Sequence, residues 1–163
     1  MRSTIVAGNW KLNGSRDSAR ALLDALLAGS RPDGVKLPVF PPLAYLAELA
    51  QAYAGRGIEF GAQDVSEHER GAFTGEVSAA MLYEIGARWT LVGHSERRSY
   101  HGETSELVAR KARAAVSAGL TAVVCVGETR AEREAGSTES VLRAQLAPVR
   151  ALGSDLLSRC VLA

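Results

Sequence analysis

The 163-residue chain is 47% hydrophobic and 23% charged, with 19 basic against 18 acidic side chains and a formal net charge of +1. This is ordinary globular composition with length for one sizeable core, and the balanced charge gives no reason to expect nucleic acid or another polyanion as partner. The apolar runs fall far short of the roughly 20 residues a membrane span needs, and Ile5-Val-Ala7 passes at once into Gly-Asn-Trp-Lys, unlike a signal peptide, so cytoplasm is the expected location and no membrane partner is expected.

Short β-branched runs alternate with longer segments of helical period. Thr4-Ile-Val-Ala7 reads as a strand. Ser18 to Leu27 reads as a helix, with Ala19, Leu22, Leu23, Leu26 and Leu27 on one face and Gly29 beyond its end. Val35 to Phe40 is the next strand, stopped by Pro41-Pro42. Leu43, Leu46, Ala47 and Ala50 form a helical stripe, and Ile58 to Ala62 a third strand. A polar loop, Asp64 to Gly75, leads to a short helix from about Ser78 to Ile85. Trp89 to Val92 is a fourth strand. Val108, Ala112, Ala115 and Val116 mark a helix with Thr104 as N-cap and Gly119 as stop. Thr121 to Val126 is a fifth strand, and Val141, Leu142, Gln145, Leu146 and Val149 line another helix. Arg159 to Ala163 begins a sixth strand. Cys125 and Cys160 each sit in an apolar run and read as reduced, buried strand residues. No CxxC or HExxH spacing appears.

Repeated βα units predict a parallel α/β sheet in a single domain over residues 1–163; periodicity leaves open a doubly wound sheet or a barrel. In such folds chemistry gathers at the C-terminal ends of strands. Those ends carry Asn9 and Lys11, Gln63 and Asp64, His94 and Glu96, and Gly127-Glu128. An ammonium at Lys11 can hold an anionic group, or it can be a surface lysine. If a helix starts at Ser95, its positive end disfavours a charged His94 ring, and a neutral imidazole can donate to a carbonyl oxygen; the alternative is a buried structural histidine. Glu96 can pair with Lys11 across neighbouring strand ends. Arg97 and Arg98 read as salt-bridge partners, His68 and His101 as solvated loop residues. In the loop from Glu67 to Glu76, Phe73 either inserts into a partner subunit or folds back.

Taken together, these strings resemble the triosephosphate isomerase family. Gly8-Asn-Trp-Lys-Leu-Asn13 is similar to its first-strand motif. Gly61-Ala-Gln-Asp64 and Gly71-Ala-Phe-Thr-Gly-Glu76 are similar to its third-strand end and dimer loop. Val92-Gly-His-Ser-Glu-Arg-Arg98, followed by Gly102-Glu-Thr104, resembles its electrophile motif. Cys125-Val-Gly-Glu-Thr129 and Glu132-Arg-Glu-Ala-Gly136 resemble its fifth strand and loop. The matches lie in order along the whole chain. The resemblance implies a (β/α)8 TIM barrel, here as about five βα units plus a sixth strand. It implies interconversion of dihydroxyacetone phosphate and glyceraldehyde 3-phosphate without metal or cofactor. Lys11 would stabilise the substrate's charge and the enediolate, Asn9 would help position substrate, and His94 would be the neutral electrophile. Glu96 would interact with Lys11, with Ser95 and Cys125 in supporting places. Phe73 and Thr74 would belong to the subunit interface, Thr74 reaching the partner's site in a homodimer.

In that family the sixth strand runs into a Tyr-Glu-Pro-Val-Trp segment bearing the glutamate base, followed by a closing lid. The present sequence stops at Ala163, where that segment would begin. The expectation is therefore that these 163 residues alone are inactive. The first and sixth strands would be open edges, which invite pairing with another chain, so a self-associating, non-catalytic fragment is the alternative. A Schiff-base aldolase is disfavoured, because Lys11 lies beyond its strand end rather than within the barrel.

Overall fold

The computed structural model describes residues 4–30 and 32–163. In chain order the elements are β1 (Thr4–Ile5), β2 (Gly8–Asn9), α1 (Arg16–Ala28), β3 (Val35–Lys36), β4 (Pro38–Phe40), α2 (Leu43–Ala52), β5 (Glu59–Ala62), α3 (Ala79–Glu84), β6 (Trp89–Val92), α4 (Ser95–His101), α5 (Ser105–Ser117), β7 (Thr121–Val124), α6 (Arg130–Glu134), α7 (Thr138–Arg150), α8 (Ser154–Leu157) and β8 (Cys160–Leu162). Strands β2, β4, β5, β6, β7 and β8 lie side by side in that order, every pair parallel, as a curled, incomplete TIM-barrel sheet.

The first two predicted strands are each interrupted, and the cause is local. Thr4 faces Val35 and Gly8 faces Val39, so one register carries through both halves. Between them lies Pro38, which has no N–H for the ladder. The fifth strand ends at Val124 rather than Val126.

Strand alternation sends side chains to two faces. Val39, Phe60, Ala62, Val92, Ala122 and Val124 meet Leu23, Leu46, Leu49, Leu82, Val108, Ala112, Ala115 and Val149 of the helices in the main core. On the other face Phe40, Trp89, Leu91 and Val123 form a second buried cluster, against which Ile5, Cys125 and Val161 pack. Gly61 makes room for it. A Cβ there would lie 2.4 Å from the Phe40 ring and 2.8 Å from Trp89 Cβ.

Three short helices go beyond the predicted elements. They are α4, only conditionally foreseen, α6 and α8. His101 consequently ends a helix instead of sitting in a loop. Cys125 and Cys160 are free thiols, but half-buried rather than buried, and Cys125 lies one residue past its strand. Among the described residues, no helix is long and apolar enough to cross a membrane, and no group of three or more His, Cys, Asp or Glu residues could hold a metal ion.

Candidate active site at the strand ends

Lys11 stands just past β2 with φ at +52°, the one non-glycine residue with positive φ among those described. Backbone in this region costs an L-residue about 1–2 kcal/mol and needs ties to hold it. Three are present. The Lys11 N–H donates to Asn9 Oδ1 at 2.9 Å. The Lys11 carbonyl accepts from Gln63 Nε2 at 2.9 Å, and the same amide donates to Phe40 O at 2.8 Å. Lys11 Nζ reaches Glu96 Oε1 at 2.7 Å. Gln63, on the segment after β5, therefore braces the lysine's backbone.

The Lys11–Glu96 pair does not join neighbouring strands. Two strands, β4 and β5, separate β2 from β6 in the sheet. The pair spans the mouth of the curl and is possible because the sheet is curved. Both side chains are about half exposed, 51% and 43%. Such an exposed, solvent-screened pair adds little stability, so its effect is chiefly to aim the ammonium. The hydrogen bond from Lys11 holds the Glu96 carboxyl below the usual carboxylate range.

His94 is the N-cap of α4. Its Nδ1 accepts from the Glu96 backbone N–H at 3.3 Å. Glu96 Oε2 also lies 3.5 Å from Nδ1, but one nitrogen cannot serve as acceptor for the amide and donor to the carboxylate together. The Glu96 amide can only donate, and its place is fixed by the first turn of α4. Nδ1 is accordingly the acceptor, which leaves Nε2 as the ring's donor nitrogen. Ser95 is the exposed first residue of α4.

Cys125 packs against the concave apolar cluster, and its thiol donates to Val123 O at 3.8 Å. Burial pushes that thiol's pKa up, so it is not a ready nucleophile. Phe73 stacks on His68, ring centroids 3.6 Å apart and planes 5° from parallel. The loop therefore folds upon itself in the single chain, with Phe73 still 42% exposed. Thr74 lines, with Phe73, a cavity of about 400 Å³ between this loop and helices α4 and α5.

Behind the rim lies an ionic cluster of Asp64, Arg97, Glu103 and Lys111. Lys111 Nζ meets both Asp64 oxygens at 2.8 Å and Glu103 Oε1 at 2.5 Å. Arg97 joins Asp64 at 2.9 Å and Glu103 at 2.7 Å. Burial pushes the Asp64 carboxyl up, with Lys111 opposing. Burial also acts upward on Glu103, but hydrogen bonds from Lys111 and Arg97 outweigh it and leave that carboxyl below the usual range. Glu103 Oε2 is buried without a partner. Arg97 is thus a salt-bridge residue as expected. Arg98 differs: its guanidinium donates to backbone carbonyls and a hydroxyl.

A triosephosphate isomerase family model matches residues 4–163. The chain is 61% identical over 149 residues to the triosephosphate isomerase of Stenotrophomonas maltophilia strain K279a, covering 91% of this chain and 59% of that protein. It is 59% identical over 152 residues to that of Xylella fastidiosa strain M23, covering 93% and 61%. Against that of Xanthomonas oryzae pv. oryzae strain PXO99A it is 57% identical over 164 residues, covering 100% and 65%. The chain thus spans roughly three-fifths of the length of these curated relatives.

Proposed function

Because this chain belongs to the triosephosphate isomerase family, we propose that its strand-end residues form the binding and electrophilic half of an isomerase site for dihydroxyacetone phosphate and glyceraldehyde 3-phosphate. The observation that carries the reading is the convergence of Lys11 and His94 on one mouth, joined through Glu96. In the reaction a base takes a proton from the carbon beside the carbonyl. The carbonyl oxygen gains charge as the enediolate forms, and a proton returns at the neighbouring carbon. Lys11 Nζ balances the phosphate and the growing oxyanion. His94 Nε2–H donates to that oxygen. Asn9 holds the Lys11 amide, while Ser95 opens the helix that His94 caps.

The base belongs to residues outside these 163. The first carboxylates after β5, β6 and β7 are already committed: Asp64 to Lys111 and Arg97, Glu96 to Lys11, and Glu128 to Arg133 at 2.6 Å. Thr74 and Phe73 meet a second subunit of a homodimer, for which the loop's residual exposure is the support. A coupled assay of triose phosphate interconversion tests the reading. In the active protein, His94→Gln lowers kcat about 100–1,000-fold, the loss that goes with one oxyanion donor. Undiminished turnover in that variant refutes His94 as electrophile.

A second reading concerns a polypeptide of these residues by itself. Within them β2 and β8 are edge strands of the sheet, and Leu22 and Leu26 on α1 are exposed at 46% and 38%. Such a polypeptide self-associates through these surfaces. Light scattering that shows a clean monomer at high concentration counts against it.

A further inference from the structure

Arg98, on α4, is a half-buried cation whose side chain makes three hydrogen bonds, all to neutral acceptors. Nε donates to Gly93 O at 2.8 Å, Nη1 to Ser105 Oγ at 3.1 Å and Nη2 to Cys125 O at 3.3 Å. These acceptors lie on three segments: the turn after β6, the first residue of α5 and the residue after β7. A guanidinium presents its donors as a rigid planar fork, so it can hold three fixed acceptors where an ammonium on a flexible stem cannot. Burial pulls the Arg98 pKa down, with Cys125 and the more distant Glu103 carboxylate opposing it. The three bonds tie these segments together around the guanidinium.

Gly93 O belongs to the peptide that leads into His94. Gly93 has φ at +69°, and a Cβ there would fall 2.6 Å from Val108 Cγ2 and 2.9 Å from Arg98 Nη2. The guanidinium is packed against the glycine as well as bonded to it. The peptide plane is thereby set on one side of His94, while the Glu96 amide holds the ring's Nδ1 on the other. Two anchors fix the direction of Nε2.

We infer that Arg98 is a positioning residue for His94, its guanidinium setting the Gly93–His94 peptide and hence the direction of the imidazole Nε2–H. The catalytic meaning rests on the isomerase reading; the geometric effect does not. Histidine ring-nitrogen NMR on the 15N-labelled protein tests it. Wild-type His94 gives two widely separated ring-nitrogen signals, the mark of a single Nε2–H tautomer. Arg98→Ala collapses that separation, and guanidinium ion, but not equal ionic strength of sodium chloride, restores it. Arg98→Lys, the gentler change should Arg98→Ala fail to fold, leaves the separation reduced. In the active protein Arg98→Lys lowers kcat about 10–100-fold with KM little changed, the scale of loss when a catalytic group is misplaced by a fraction of an ångström to an ångström. An unchanged separation in either folded variant, or a wild type without the separation, overturns the proposal. If no triose phosphate is turned over, the isomerase reading fails and the NMR result still decides Arg98.

Discussion

Lys11 shows how much of this site is backbone. Its positive φ is opposed by sterics and held by the Asn9 and Gln63 side chains. Two variants that both remove the ammonium isolate that strain: Lys11→Gly is more stable than Lys11→Ala by about 1 kcal/mol, measured by urea unfolding. Gln63→Met removes the donor shared by Lys11 O and Phe40 O. It lowers stability by about 1–2 kcal/mol, and loss of Lys11 order follows in the backbone NMR spectrum; an unchanged spectrum would contradict the brace. That Lys11, His94 and Glu96 would gather at one rim was legible because parallel strands bring polar groups together at their C-terminal ends. Gln63 was visible at the rim, but its role was not, since it bonds to the carbonyl of a residue 52 positions away. Arg98 misled for the same reason. Its charge suggests a carboxylate partner, whereas backbone carbonyls leave no mark in a sequence.

Helices declare themselves in proportion to their length and their apolar stripe. The 13-residue α5 begins at Ser105 behind an N-cap, Thr104, whose Oγ1 accepts from the Leu107 N–H at 3.2 Å. Thr104→Ala costs about 1 kcal/mol, readable as a drop in the urea midpoint with an unchanged slope; a shift within experimental scatter would remove the cap from the account. The short α6 and α8 span five and four residues and bury none, so periodicity has nothing to register. A signal for α6 was nonetheless present: Thr129 and Glu132 form a capping box, the spacing that marks a helix start. Pro38 could likewise have foretold the break in the second strand.

Across the whole molecule, the segment after β5 is tied to α4 and α5 through Asp64, Arg97, Glu103 and Lys111. Glu103 has a side chain only 3% exposed and a carboxyl below the usual range. Its contribution is therefore present at neutral pH and is lost as pH falls through that lowered folded value. Asp64, raised by burial, works in the opposite sense and offsets part of the loss. Glu103→Gln should be destabilised by about 2–3 kcal/mol at neutral pH, and urea melts at descending pH should show the gap between variant and wild type closing. A gap constant down to acid pH would mean that the Glu103 charge is not what stabilises the fold. The curled sheet carries this tie and the Lys11–Glu96 pair alike, and the pair brings Lys11 to the same mouth as His94.

The most direct measurement is a triose phosphate interconversion assay on the purified 163-residue polypeptide, alone and mixed with the part of the Stenotrophomonas relative that it does not span. The expected result is no turnover alone, turnover on mixing, and loss of that turnover with His94→Gln. Turnover by the polypeptide alone, or restored turnover indifferent to His94, would contradict it.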